Sequence, residues 1–313
     1  MKEKVMEVKN LEKSYKTNKA IDGLEFDLYK GEILGLLGPN GAGKSTTISI
    51  LSTILKKDSG EIKILGKNIE KDIKCIKANL GVVPQDIAIY EDISAYKNVE
   101  FFASLYGLKK GLLKKNVSEA LEFVGLDDKK DYKPKTFSGG MKRRLNIACS
   151  IAHKPTILIF DEPTVGIDPQ SRNHILTSIK KLKETGTTII YTTHYMEEVA
   201  EIADRIIIMD KGQKIAEGTL AELLAKYKNT RVYKLYIQDI QGKDLTYLEN
   251  ISGVQKIIIK DEALEIYVSK EIDNLDKIIL KLAENNLSIK HMETEEGNLE
   301  MVFLDLTGKK LRD

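Results

Sequence analysis

At 313 residues, 42% of them hydrophobic and 31% charged, the chain is long enough for one large domain or two. Lys and Arg (49) nearly cancel Asp and Glu (47), and the resulting +2 gives no general case for a nucleic-acid partner. Two distant cysteines, Cys75 and Cys149, offer no C-x-x-C zinc or redox motif, and no apolar run reaches the length of a membrane span or a signal peptide; a cytoplasmic chain is expected, with any membrane role through a partner.

Two strands are predicted first, Val5 to Val8 and Leu24 to Leu28, joined by a polar turn. Tyr15 lies between them. Its ring could stack on a base, although a lone Tyr in a β-region is more often packing. The apolar run Ile33 to Leu37 then reads as a buried strand. It feeds Gly38-Pro39-Asn40-Gly41-Ala42-Gly43-Lys44-Ser45-Thr46, spaced as G-x-x-x-x-G-K-S, the phosphate-binding loop. Glycines let successive N–H groups turn inward onto phosphate oxygens, and the helix expected from Ser45 to about Leu55 adds its free amides and positive dipole end. Lys44 can reach the β- and γ-phosphates, and Ser45 can offer a hydroxyl to Mg²⁺. This stretch predicts a nucleoside-triphosphate site.

A strand is expected from Gly60 to Leu65. A short one, Leu80 to Val83, ends at Pro84-Gln85, where Gln85 by itself reads as a loop residue. Apolar Val99, Phe102, Ala103 and Tyr106 recur at helical spacing, so Ser94 to about Val124 is predicted helical, with Lys109 to Lys115 as a solvated loop. Phe137-Ser138-Gly139-Gly140-Met141 opens a helix running to about His153 and is a second helix start able to bind an anion, although in isolation such a stretch is more often a glycine-rich N-terminus with no ligand. The strand Thr156 to Phe160 ends in Asp161-Glu162, adjacent carboxylates that are costly unless they hold a metal or a water. Gly166-Ile167-Asp168-Pro169 makes a turn before helix Gln170 to Glu184. Strand Thr188 to Tyr191 runs out at His194, and such a lone His is usually structural. Helix Met196 to Ala203, strand Arg205 to Met209, a hairpin turn at Lys211-Gly212-Gln213 and a helix from Thr219 to about Tyr227 complete an alternating pattern. Alternation of this kind implies a largely parallel α/β sheet with ligands at the strand ends.

Near Asn229 the character changes. Strand Val232 to Ile237, helix Leu245 to Ile251, strands Val254 to Ile259 and Leu264 to Val268, helix Asp273 to Glu284 and strand Ser288 to Met292 give the order β-α-β-β-α-β of the split βαβ unit. Leu299, Val302, Phe303 and Leu306 at i, i+3, i+4, i+7 predict a final helix.

The order Tyr15, phosphate loop, Gln85, Ser138-Gly139-Gly140, Asp161-Glu162, Asp168, His194 resembles the ATP-binding subunits of ABC transporters over roughly Val5 to Tyr227. No guanine-binding N-K-x-D competes, since Asn18-Lys19 is followed by Ala20-Ile21. The resemblance implies a phosphate-loop ATPase fold over residues 1–228, with an antiparallel β subdomain, a helical subdomain at about 86–153, and a small α+β accessory or regulatory domain at 229–313. It implies that Tyr15 stacks on adenine and that Gly38 to Thr46 hold the phosphates. Ser45, Gln85 and, through water, Asp161 would place Mg²⁺, Glu162 would polarise the attacking water, and His194 would contact the γ-phosphate. Ser138, Gly139 and Gly140 would face the ATP of a second subunit, with Asp168 in the interface. Two anion-binding helix starts beside one nucleotide site agree with a head-to-tail dimer that sandwiches ATP.

The signature reads Phe-Ser-Gly-Gly-Met where Leu-Ser-Gly-Gly-Gln is commonest. With Phe101 to Gly107 and the tail Leu299 to Gly308, it resembles the drug- and antibiotic-resistance exporters whose permease is a separate ABC-2 type membrane protein. The resemblance places the chain on the inner face of the cell membrane, with residues 86–107 as the permease-docking segment and no nucleic acid as partner. The alternative is a soluble ABC ATPase acting on ribosomes or nucleic acid, but such relatives generally carry two cassettes or long coiled coils.

Overall fold

The computed structural model describes residues 2–225, 229–238, 240, 242–260 and 263–307, and among them the chain divides into two compact units, split between residues 220 and 221. The first unit opens with a long hairpin, β1 (Lys4–Tyr15) and β2 (Asn18–Tyr29). The pairing runs from Lys4 opposite Tyr29 to Tyr15 opposite Asn18, so Tyr15 closes the hairpin tip as a strand residue instead of lying in a broad polar turn. With β4 (Ser59–Ile64) and β5 (Lys67–Asn68) these strands form an antiparallel sheet in the order β2-β1-β4-β5.

The central sheet has six strands. They are β3 (Ile33–Leu37), β6 (Leu80–Val83), β7 (Ile157–Asp161), β8 (Thr188–Thr193), β9 (Arg205–Asp210) and β10 (Gln213–Gly218) in the order β10-β9-β3-β8-β7-β6. All its pairings are parallel except the β9–β10 hairpin. Residues of β3, β7 and β8 are buried throughout, which is why they read as unbroken apolar runs and not as alternating ones. Each fully buried Leu or Ile there contributes about 1.5–3 kcal/mol. One core cluster joins the two sheets, with Val8, Leu24 and Phe26 from the hairpin and Leu34, Ile159 and Ile190 from the central strands.

Register sets the site. Leu37 lies beside Thr193, and Asp161 beside Thr192, so β3, β7 and β8 end at one edge. The phosphate loop, Asp161-Glu162 and His194 all emerge there, at the C-terminal ends of parallel strands.

The helices correct several expectations. The loop helix, α1 (Lys44–Leu51), stops short of Leu55 because Thr53 takes a φ of 60° and the N–H groups of Ile54 and Leu55 both return to Ser49 O at 2.9 Å. A helix α2 (Ile73–Asn79), absent from the sequence reading, precedes β6. The long helix expected over Ser94 to Val124 is two, α3 (Ala95–Ser104) and α4 (Lys110–Phe123), broken where Gly107 takes a φ of 74°. Lys110, Lys114 and Lys115, expected in a loop, lie instead on the exposed face of α4. Then follow α5 (Gly139–Ile151), α6 (Pro169–Glu184), α7 (Met196–Ile202) and α8 (Leu220–Leu224); Tyr227, the expected end of this last helix, lies outside the described residues, as does Gly308.

The second unit carries β11 (Thr230–Ile237), α9 (Thr246–Glu249), β12 (Val254–Lys260), β13 (Ala263–Ser269), α10 (Leu275–Glu284), β14 (Ile289–Glu296) and α11 (Leu299–Thr307). Its sheet is antiparallel in the order β12-β13-β11-β14, the split βαβ arrangement. One core packs Leu235, Leu264 and Ile266 with Leu248 and Ile278, while Met301 of α11 packs with Val232 and Tyr267.

Candidate functional site

A cleft of about 540 Å³ opens over the phosphate loop, lined by Asn40, Gly41, Gly43, Lys44, Ser45 and Thr46 together with Tyr15, Gln85 and Glu162. The loop tolerates no other residue at its tightest points. A Cβ on Gly38 would stand 2.4 Å from Met209 O, and one on Gly43, at a φ of 98°, 2.5 Å from Ala20 O. Pro39 and Ala42 complete the turn, with Ala42 N donating to Pro39 O at 3.1 Å.

Lys44 folds back over this loop. Its Nζ donates to Gly38 O at 2.7 Å and Pro39 O at 3.2 Å, and pairs with Glu162 Oε1 at 3.1 Å. The other carboxylate oxygen, Glu162 Oε2, lies 3.2 Å from His194 Nδ1. Glu162 holds a φ of 45°, a strained left-handed conformation for a residue with a side chain. Its N–H is fixed on Thr192 O at 3.1 Å and Thr192 Oγ1 at 3.0 Å.

Asp161 points back toward the helix start. Its Oδ1 accepts from Thr192 Oγ1 at 2.8 Å and, at a longer 3.4 Å, from Ser45 Oγ. Burial, reinforced by the adjacent Glu162 charge, raises its carboxyl above the ordinary range. Among the described residues no group of three His, Cys, Asp or Glu could hold a metal by itself.

The remaining expected site residues do not line the cleft. Ser138 caps α5, accepting from Met141 N at 3.3 Å, and Asp168 caps α6, accepting from Ser171 N at 2.9 Å. The two caps are neighbours: a Cβ on Gly140 would stand 3.7 Å from Asp168 Oδ2. Gly139 faces open space.

Asn18, Lys19, Ala20 and Lys211 also line the cleft and were not singled out from sequence. Of these only Lys211 falls in a predicted feature, the Lys211-Gly212-Gln213 turn, which the structure ties to the phosphate loop through Gly212 N donating to Ala42 O at 3.1 Å. Arg143, read as part of a helix start, is buried and donates to Pro84 O at 2.7 Å and Gln85 O at 2.5 Å. It fixes the backbone that presents Gln85 to the cleft, and no spacing announces that.

A glycine-rich loop between a buried parallel strand and a helix, with its lysine and a following carboxylate in one cleft, defines a phosphate-loop nucleoside triphosphatase. The family model described as ABC transporter matches residues 21–165. The chain is 43% identical to the linearmycin resistance ATP-binding protein LnrL of Bacillus subtilis (strain 168), over 99% of this chain and 100% of that one. It is 34% identical to the Nod factor export ATP-binding protein I of Ralstonia nicotianae, over 99% and 95% of the two chains. A solved structure of an ATP-binding cassette, dimeric, in a post-hydrolysis state and bound to ADP and Pi, superposes with a TM-score of 0.63 at 27% identity, covering 69% of this chain and 98% of that one. The chain belongs to the family of ATP-binding subunits of ABC transporters, and is an ATP-hydrolysing subunit of its export branch. The ribosomal or nucleic-acid alternative is thereby set aside.

Proposed function

We propose that this chain powers export through a separate ABC-2 type permease, by closing head-to-tail on a second copy of itself around two ATP molecules. The observation that carries the proposal is Glu162, bracketed by Lys44 at 3.1 Å and His194 at 3.2 Å on the floor of the nucleotide cleft. In this reading Lys44 and the amides of Gly38 to Thr46 bind the phosphates, and Tyr15, half-exposed at the cleft rim, stacks on adenine. Glu162 accepts the proton of the attacking water, and His194 orients that carboxylate and the γ-phosphate.

The residues fit Mg²⁺. The ion binds through one or two protein oxygens plus phosphates and waters, so a full protein cage is not required. Ser45 and Asp161, hydrogen-bonded at 3.4 Å, and Gln85 on the same cleft would hold it. It would supply neutralisation of the phosphate charge.

Ser138, Gly139 and Gly140, away from the cleft of their own chain, serve the ATP of the second copy, and Asp168 beside them serves the interface. The γ-phosphate then holds two chains together, and its loss releases them. No helix among the described residues is long and apolar enough to cross a membrane. Attachment to the inner face of the membrane is therefore assigned to the permease. Its docking surface is the segment after Gln85, where Ile87, Tyr90, Phe101 and Leu105 are exposed, and where Phe102, Leu105 and Tyr106 line a groove of about 710 Å³. Residues 229–313 serve as an accessory or regulatory domain, and their deletion should change ATPase rate or dimerisation while leaving nucleotide binding.

Resistance to linearmycin, in the name of the Bacillus subtilis protein, favours an antibiotic-like cargo. Deleting the gene and scoring efflux across compound classes, with co-purification of the permease, tests this. An unchanged efflux profile and no membrane partner would sink it.

A further inference from the structure

The strongest side-chain cluster outside the cleft centres on Glu198, on α7. Its side chain is fully buried, yet it is a carboxylate. Burying such a charge is costly unless every lone pair finds a donor. Here they do. Oε1 accepts from Thr164 Oγ1 at 2.6 Å and pairs with Arg172 Nε at 2.9 Å. Oε2 accepts from Tyr191 OH at 2.8 Å and Thr193 Oγ1 at 2.7 Å. Burial first, and the carboxylate charge second, hold the Tyr191 phenol far above its ordinary pKa, so it stays a donor.

The donors come from segments that the chemistry needs in register. Thr164 lies two residues after Glu162, in the loop where Val165 N returns to Glu162 O at 3.4 Å and Ile167 N to Thr164 O at 3.2 Å. Thr193 immediately precedes His194, and its Oγ1 also accepts from Tyr195 N at 3.0 Å, closing a turn around the histidine. Arg172 belongs to α6, capped by Asp168, and its guanidinium lies 5.3 Å from the centre of the Tyr195 ring. One carboxylate thus ties the backbone behind Glu162, the backbone on either side of His194, and the helix that starts at Asp168. Glu162 is strained at a φ of 45° and needs such outside support.

We propose that Glu198 is a positioning residue for ATP hydrolysis, holding the Glu162 and His194 loops at the 3.2 Å spacing of their side chains and linking both to the Asp168 helix. Its side chain is fully buried and does not line the nucleotide cleft. The proposal rests on the reading of Glu162 and His194 as the groups that act on the γ-phosphate and water. A 1 Å misplacement at such a pair lowers turnover steeply while leaving phosphate binding by Lys44 and the loop amides in place.

The test uses the full-length chain with Glu198→Gln, Thr164→Val and the conservative Thr164→Ser, each assayed at a temperature where circular dichroism shows it folded. Thr164→Val should lower kcat by about tenfold to a hundredfold with the KM for ATP within about twofold of the parent, and Thr164→Ser should restore kcat. Glu198→Gln should show the same split between kcat and KM. If it does not fold, the Thr164 pair carries the test alone. A folded Thr164→Val with kcat within about twofold of the parent, or a loss shared equally by Thr164→Ser, overturns the proposal. Glu162→Gln, run alongside, separates the two readings: undiminished turnover there contradicts the role of Glu162, whatever the Thr164 pair does.

Discussion

Lys44 Nζ and Glu162 Oε1 lie 3.1 Å apart, with both side chains almost wholly buried. In the proposed reading, the cation assigned to phosphate and the carboxylate assigned to water share one hydrogen-bonded contact at the end of β7. Replacing Lys44 removes a charge-assisted donor worth about 1.5–3 kcal/mol, so Lys44→Ala should bind ATP on the order of tenfold to a hundredfold more weakly. It also leaves Glu162 buried with His194 alone, which should lower the unfolding midpoint. Isothermal calorimetry with a nonhydrolysable ATP analogue checks the first effect and a melting curve the second. Unchanged affinity would contradict the assignment of the loop.

A pH effect should arise from His153. The side chain is buried, stacked on Tyr106 with ring centres 3.6 Å apart, and its Nε2 meets Leu80 O at 3.2 Å. Burial pushes its pKa down to about 4, only partly offset by the Leu80 carbonyl. In the unfolded chain it titrates near its ordinary value of about 6.5. Between about 6.5 and about 4 the unfolded chain binds a proton that the folded chain refuses, so stability falls as pH drops through that window and levels below it. The loss is at most about 3 kcal/mol. His153→Gln keeps a donor for Leu80 O and does not titrate. Urea unfolding at pH 7 and pH 4.5 should therefore show a smaller drop for the variant than for the parent, since the carboxylates are common to both.

Gly140 offers a packing test. A Cβ there would stand 2.1 Å from Ser171 Oγ and 2.7 Å from Ser171 Cβ. Gly140→Ala should cost about 1–3 kcal/mol of stability. Adding Ser171→Gly removes both obstructing atoms, so the double variant should recover most of the loss, a coupling that urea titration of the two single variants and the double measures directly. Strict additivity would show that the start of α5 moves freely.

What sequence could show depended on how local each feature was. The phosphate loop was legible because its glycines, lysine and serine act through spacing along one stretch. The sheet order of the second unit followed from the alternation of its elements. By contrast, the break between α3 and α4 turns on Gly107 alone, inside a stripe that stays apolar on both sides. Arg143 and Glu198 fall inside predicted helices with nothing in their spacing to mark either as buried, and Glu197-Glu198 are neighbours of identical type. Only the packing of α7 against β3 and β8 decides which of the two is buried. Tyr15 was expected between strands and proves to end one, because the β1–β2 pairing continues through polar residues whose side chains face solvent.

The central claim is that ATP holds two copies together until Glu162 acts. Glu162→Gln keeps the side-chain volume and removes the charge, so it should bind ATP and fail to turn it over. Size-exclusion chromatography with light scattering, run on this variant with and without Mg-ATP, gives the most direct measurement. A shift from monomer to dimer only with Mg-ATP is the expected result. A variant that stays monomeric while saturated with ATP would contradict the claim.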